Sequence, residues 1–482
     1  MRHWLSGSVM SVAALLSACG GGGGSSPPPP STGPIGSVPT PPPAPPPTAA
    51  CSLRSQQDFA GGQIREWYLF PETLPGSLDP APFTTVQAFI DALTATARAQ
   101  RRDRFFTFAT SIAEENAFFN SGATAGFGIR LSTDTAARRL FVAEAFEGAP
   151  ALAAGIDRGT EILAIGTTAN DLRTVDSILA AEGPAGINNA LGPSTAGTTR
   201  VLRISDAAGI RTVTVTKADF SIPPVSPRYG ARILTDGGKS VGYLNLRTFI
   251  SSADTPLRNA FASFRAQGIT EVIVDFRYNG GGLVSIAELM GDLLGGNRSP
   301  SDVFSFTTFR PEKASNNSTR FFRPQPQSVA PTKIAFIGTG ATASASELVI
   351  NAFIPYLRAN EALVGTNTFG KPVGQSAFDL AACDLRVRVL TFKTENAARQ
   401  GDYFDGLASK VEASCQAGDD LSRQLGDPQE ASTRTALDFL AGRACTRISS
   451  GISGQSARAG ERRDLLVPDQ PSTAQREVPG AF

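Results

Sequence analysis

Residues 271–282 read EVIVDFRYNGGG: an apolar run, then a turn closing on three glycines. An unbroken run such as Val272–Phe276 belongs to a strand covered on both faces, as in a parallel sheet, because neither face meets water. The pattern returns at 334–338 (IAFIG), which leads through TGATASASE (339–347) into a helical stretch from Ala345 to Arg358. A third apolar strand at 362–364 runs into TFGKPVGQ (368–375). Strands and helices alternate from about 223 to 395, the mark of an α/β core. Between the strand SVGYLNL (240–246) and VIVDF, a helix is expected: Asp254 as cap, Pro256 in the first turn, Leu257, Phe261 and Phe264 on one face, Gly268 beyond the end. LRVRVLTF (385–392) alternates as a half-buried strand.

Reacting groups on α/β sheets belong at the carboxyl ends of the strands, where the three segments stand. A serine at a strand-to-helix turn lies near free N–H groups and the positive end of the helix dipole, which stabilise a developing oxyanion. Ser344 is so placed, with the amide of Ala345 as one donor and the glycine turn able to bring a second close. Taken singly, each segment has a plainer reading. Ser344 to Glu347 is also a capping box, Asn279-Gly280 is also a turn, and a lysine is usually solvated. Lys371, however, sits among Phe369, Gly370, Pro372 and Val373. Partial desolvation would lower its pKa and let a neutral amine accept a serine proton.

One absence narrows the chemistry. The only histidine is His3, within the leader, so a Ser-His-Asp triad, a Cys-His dyad and a His-ligated zinc site are excluded for the rest of the chain. No metal or cofactor is expected. With 44 basic and 43 acidic residues and a net charge of +1, no basic block suggests a nucleic-acid partner. Neither a Gly-Lys-Ser/Thr phosphate loop nor a Gly-x-Gly-x-x-Gly helix opening is present.

Together, Asp275-Phe-Arg-Tyr-Asn-Gly-Gly-Gly282, Ser344-Ala-Ser-Glu347 and Phe369-Gly-Lys-Pro-Val-Gly-Gln375 resemble the carboxyl-terminal processing, or tail-specific, serine proteases. The resemblance spans about 119–395. It implies a crotonase-like β/α spiral in the core, Ser344 as nucleophile, Lys371 as general base and Gln375 as the residue orienting the lysine. The amides of Gly282 and Ala345 would form the oxyanion hole. Phe276 stands in place of the family's leucine and Pro372 in place of the glycine after the lysine, which stiffens that loop. A catalytically silent peptide-binding lipoprotein on the same scaffold is the competing reading.

Upstream, residues 119–222 carry a glycine-framed loop (GFGI, 126–129), a strand, a small-residue helix at 149–154 and a strand at 162–165. This resembles a PDZ domain, with Gly159-Thr160 where Gly-Asp is usual and residues 180–200 read as an extended loop. The resemblance implies that Gly126, Phe127, Gly128 and Ile129 receive a peptide carboxylate while the next strand edge is augmented. Residues 51–118 read as a small helical domain, with Val86, Phe89, Ile90, Leu93 and Ala97 on one helical face. The whole is a multi-domain α/β protein: helical domain 51–118, PDZ-like domain 119–222, core 223–445 and an irregular, poorly ordered tail at 446–482.

Residues 1–18 form an export leader whose apolar run, Val9 to Leu16, is too short to cross a bilayer. It ends in Leu16-Ser-Ala-Cys19, which resembles a lipobox and implies acylation of Cys19. Residues 19–50, rich in Gly and Pro, form a tether that at ~3.1 Å per residue reaches roughly 90 Å. A bacterial envelope protein is expected, held to a lipid bilayer on the periplasmic or cell-surface side, with protein or peptide substrates; its oligomeric state is open. Beyond Cys19 the cysteines are Cys51, Cys383, Cys415 and Cys445, an even set that suggests two disulfides. Of three connectivities, Cys415–Cys445 with Cys51–Cys383 is favoured. Cys19→Ala should move the protein from the detergent-requiring membrane fraction to the soluble fraction, measured by fractionation and immunoblot.

Overall fold

The computed structural model describes residues 51–449 and 463–482. The leader, Cys19 and the tether lie outside the described residues. The apolar runs form the middle of a six-stranded sheet, ordered Ala231–Asp236, Lys239–Asn245, Glu271–Asp275, Lys333–Gly338, Glu361–Gly365 and Ala413–Gln416. Only the first pair is antiparallel; the others run parallel. Parallel neighbours need long crossovers, which contain the helices Asp254–Ala266, Val284–Leu294 and Ala345–Leu357. Val272, Val274 and Phe336 face these helices. Ile273, Ala335 and Ile337 face the helix Ala431–Leu440 instead. Both faces are therefore dry, which is why the strands read as continuous apolar runs. Asp254 is the first helical residue rather than the cap; its carboxylate accepts from Arg258 Nε at 2.8 Å, one turn on.

Register determines where the turns meet. Asp275 pairs with Ile337 and Gly338 with Gly365, so the segments following these three strands leave the same end of the sheet. A second, five-stranded sheet contains Phe108–Ser111, Leu385–Glu395, Val303–Phe309 and Ser318–Phe321, with Val373–Leu380 paired on Leu385–Glu395. The helices Leu53–Trp67 and Val86–Leu93 cover it. Val86, Phe89, Ile90, Leu93 and Ala97 are all buried, in one cluster with Val373, Val387 and Val389. The 51–118 segment thus shares its core with the strand bearing Gln375, and the Cys51–Cys383 bridge ties the two together (Cα–Cα 5.3 Å).

The β-rich region is organised around Ile129–Asp134, Arg139–Ala145, Glu161–Gly166, Thr199–Asp206 and Gly209–Thr216. Two expectations are corrected. Residues 175–191 form a kinked helix where the sequence suggests an extended loop from 180. Thr174 caps it, Ile178, Ile187 and Leu191 enter the core, and Gly183 (φ +63°) before Pro184 absorbs the kink that disguises it. The tail is not irregular throughout: Asp464–Leu465 pairs with Ile129–Asp134, and Thr473–Glu477 is helical. Main-chain pairing serves even polar residues, and Ala474, Val478, Ala481 and Phe482 are buried.

Both favoured disulfides are present, Cys415–Cys445 with Cα atoms 5.4 Å apart. With a sequence separation of 30, that bridge should contribute roughly 3–4 kcal/mol through the unfolded chain. A Cys415→Ser/Cys445→Ser double variant should lose about that much stability in a denaturant titration.

Candidate active site

Ser344 sits where the Lys333–Gly338 strand turns into the Ala345–Leu357 helix, at φ +55° and ψ −114°. For a residue with a Cβ such a backbone costs on the order of 1–3 kcal/mol and persists only when its surroundings enforce it. They do so through Glu347. Its Oε2 accepts from the N–H of Ser344 at 3.1 Å and from that of Lys371 at 2.7 Å. Its Oε1 accepts from the N–H of Gly370 at 2.7 Å and the hydroxyl of Thr368 at 2.6 Å. The bond from the Ser344 N–H to Glu347 is the return half of a capping box. Burial pushes the Glu347 carboxyl upward, against these hydrogen bonds.

The turns are also bonded to each other. Ala343 N–H and Ser346 Oγ donate to the Asn279 carbonyl, at 3.0 and 3.2 Å. Thr342 Oγ1 donates to the Phe276 carbonyl at 2.8 Å, and Phe369 N–H to the Thr342 carbonyl at 2.9 Å. The glycines permit the approach. A Cβ on Gly281 (φ +121°) would lie 2.8 Å from Ser344 Cβ, and one on Gly282 (φ +132°) 2.3 Å from the Phe249 oxygen. Gly281 is therefore the glycine in contact with the serine. Its N–H donates to Asn279 Oδ1 at 2.9 Å. Among the described residues, the N–H groups of Gly282 and Ala345 donate to no main-chain acceptor.

Lys371 Nζ donates to Gln375 Oε1 at 3.0 Å and lies 4.9 Å from the centre of the Phe106 ring. Gln375 Nε2 in turn donates to the Phe106 carbonyl, fixing the amide. Burial lowers the pKa of Lys371, opposed first by Glu477 and then by Asp103. Among the described residues no hydrogen bond joins Lys371 to Ser344. The Pro372 carbonyl accepts from Thr394 N–H at 2.9 Å. Such a site pairs a hydroxyl at a helix start with an amine whose charged form is disfavoured.

Residues 240–404 match Peptidase family S41. Across a wider span the chain is 29% identical over 280 residues to a carboxyl-terminal-processing protease of Picosynechococcus sp., covering 57% of this chain and 61% of the relative. It is 28% identical over 290 residues to carboxyl-terminal-processing peptidase 2, chloroplastic, of Arabidopsis thaliana, covering 57% and 50%. The chain thus spans about half to three fifths of those relatives' length. In fold it is similar to an S41 protease from Bacteroides fragilis, with a TM-score of 0.61 at 23% identity, covering 80% of this chain and 97% of that one.

The α/β core brings Ser344, Lys371, Gln375, Ala345 and the glycine turn to one end of the sheet. Gly126 to Ile129 lie in the β-rich region, where the N–H groups of Gly128 and Ile129 donate to the Phe482 main-chain oxygen at 2.8 and 3.1 Å. Sequence reasoning missed several groups. Glu347 was visible only as a cap. Arg104, whose guanidinium donates to the carbonyls of Phe369 and Gly370 at 2.6 and 2.5 Å, carries no local signal. The terminal helix did have one, the Ser472-x-x-Gln475 box. Glu347→Gln turns an amide NH₂ toward two N–H or O–H donors, and should cost roughly 1–3 kcal/mol in a denaturant titration while far-ultraviolet circular dichroism stays that of wild type.

Proposed function

We propose that this chain is a serine-type endopeptidase that cleaves exported proteins or peptides near their carboxyl ends. Ser344 Oγ attacks the scissile carbonyl and its proton passes to the neutral amine of Lys371. The N–H groups of Ala345 and Gly282 receive the oxyanion. The protonated lysine gives its proton to the leaving amine. Water, deprotonated by the same lysine, then hydrolyses the acyl-serine and restores both groups. The loop at 126–129 works as a PDZ-like receptor for substrate ends, and acylated Cys19 keeps the enzyme at a membrane.

The observation that supports this reading most is the setting of Lys371. Desolvation lowers its pKa, an aromatic ring lies beside it, and Gln375 accepts from its amine. A surface lysine needs none of these. Glu347 holds the lysine's own N–H and that of the serine on a single oxygen, so the two chains are positioned together.

Arginine cannot deprotonate in a protein. Lys371→Arg and Ser344→Ala should each fold and bind a peptide end yet lose peptide cleavage by at least about 10³-fold. Activity should rise with pH through the lysine's pKa, and because burial lowers that pKa, the rise falls below the range of a solvated lysine near 10.4. A Lys371→Arg variant that cleaves at the wild-type rate would sink the mechanism. Failure of the wild type to take a fluorophosphonate on Ser344 would favour the silent binding scaffold.

A further inference from the structure

The groove at 126–131 is already filled by the chain itself. Besides the two bonds to the Phe482 oxygen, Phe482 N–H donates to the Ile129 carbonyl at 2.8 Å and Leu131 N–H to the Gly480 carbonyl at 2.8 Å. Arg130 pairs with Ala481 as an antiparallel bridge, so residues 480–482 add to the Ile129–Leu131 part of a strand edge that Asp464–Leu465 continues at Ser132 and Thr133. The Phe482 side chain, 6% exposed, packs in the core of the β-rich region with Phe127, Ile129 and Ile178. Ala481 is buried, and Gly480 has φ +82° with Arg130 Cγ and Leu131 O each 3.0 Å from where a Cβ would be. Arg130, fully buried, donates to the Pro479 carbonyl from the core side. The occupant thus presents a large aromatic residue after two positions that admit only small ones.

The same segment reaches the catalytic turns. Gly280 N–H, at the head of the glycine turn, donates to the Glu477 carbonyl at 3.0 Å. Lys371, Gly280, Arg476 and Glu477 line one cavity of about 2210 Å³. The stretch Thr473–Glu477 is helical, so its peptide groups are folded on one another rather than laid out for attack.

Building on the reading of 126–129 as a receptor, we infer that the groove selects chain ends of the type small-small-aromatic, and that residues 472–482 are its resident competitor, covering the catalytic turns until a substrate end displaces them. The selectivity follows from Phe482, Ala481 and Gly480; the competition follows from one strand edge that holds one peptide at a time. The docked tail also acts on the base. Glu477 is the strongest influence opposing the desolvation of Lys371, and it favours the ammonium that cannot accept a proton. The other charged groups acting on Lys371 are Asp103, Arg388 and Arg476.

The test uses the full chain bearing Ser344→Ala, so that binding is read without turnover. The probe is a fluorescent REVPGAF peptide with a free carboxylate, beside its carboxamide and an REVPGAD control. Adding Gly480→Val should tighten REVPGAF binding about tenfold or more, the change that a positive-φ penalty of this order produces, and separately Phe482→Asp, which puts a carboxylate into an apolar pocket, should tighten it at least as much. REVPGAD should bind at least tenfold more weakly than REVPGAF. Equal affinity with and without the tail substitutions overturns the resident competitor. REVPGAD binding as tightly as REVPGAF overturns the selectivity. If a variant misfolds, amide exchange at Phe482 and Leu131 in the Ser344→Ala chain decides: excess REVPGAF should speed exchange at Phe482, and no change overturns the competition. With Ser344 restored, Gly480→Val should raise cleavage of a GAF-ended reporter several-fold; an unchanged rate overturns the covering role. Absence of cleavage and fluorophosphonate labelling in every form, with binding as expected, would strike the protease reading and leave the groove inference standing. Absence of binding by any probe to any variant would strike the receptor reading on which the inference rests.

Discussion

Glu347 has no exposed surface, and the serine turn and the lysine loop meet on its two oxygens. An isolated carboxylate in such a place is very costly. Here three main-chain N–H groups and one hydroxyl converge on it, and hydrogen bonds to a charged acceptor are the stronger kind. The consequence is geometric. Ser344 can hold its strained backbone because its N–H is anchored, and Lys371 enters the site because its N–H is anchored on the same oxygen. Removal of that carboxylate leaves four donors without a common acceptor, so the helix start, Ser344 and the Lys371 loop would relax together.

A second set of buried charges joins the β-rich region to the glycine turn. Arg277, within the turn, is fully buried between Asp275 and Glu430, each at 2.9 Å. Asp419 bonds both Arg277 and Arg158 of the β-rich region, and Tyr278 donates to the same carboxylate. On the other side Arg130 and Arg247 share Glu144, whose pKa their charges hold down at about 2 against its burial. Breaking one partner of such a network typically costs 3–5 kcal/mol, since a charge is left behind. Arg130 also donates to the Tyr278 carbonyl at 3.1 Å. The groove at 126–131 and the glycine turn are therefore connected by paired buried charges rather than by a loose linker.

What could be read from the chain alone follows from where the signals are local. Buried parallel strands announce themselves as apolar runs, and the turns after them contain glycine, serine and lysine for reasons of chemistry, so the α/β core and the grouping of Ser344, Lys371 and Gln375 were legible. The helix at 175–191 was not, because Gly183 and Pro184 interrupt its period while its apolar residues still reach the core. The tail was misread for a different reason. A strand of two residues and a helix of five have little pattern of their own; their order comes from the strand edge and the apolar pocket that receive them. Arg104 and Glu347 likewise act through partners far along the chain, and such long-range pairing leaves no spacing to recognise.

On the proposed reading, the tail's conformation bears on how residues 473–482 can lie against the glycine turn without being cleaved. A peptide group is attacked when its carbonyl faces the nucleophile and the oxyanion donors, which extended substrate allows. In Thr473–Glu477 helical turns direct the carbonyls along the helix axis. The last of them, that of Glu477, accepts from Gly280 N–H rather than from Gly282 or Ala345. Meanwhile the Glu477 carboxyl, lifted by burial and lowered chiefly by Lys371, stands electrostatically against the amine. Main-chain geometry and side-chain charge thus oppose the same step from two directions. On that same reading, a substrate end that took the groove would remove both at once, because the strand at 480–482 and the helix before it are one short, continuous segment.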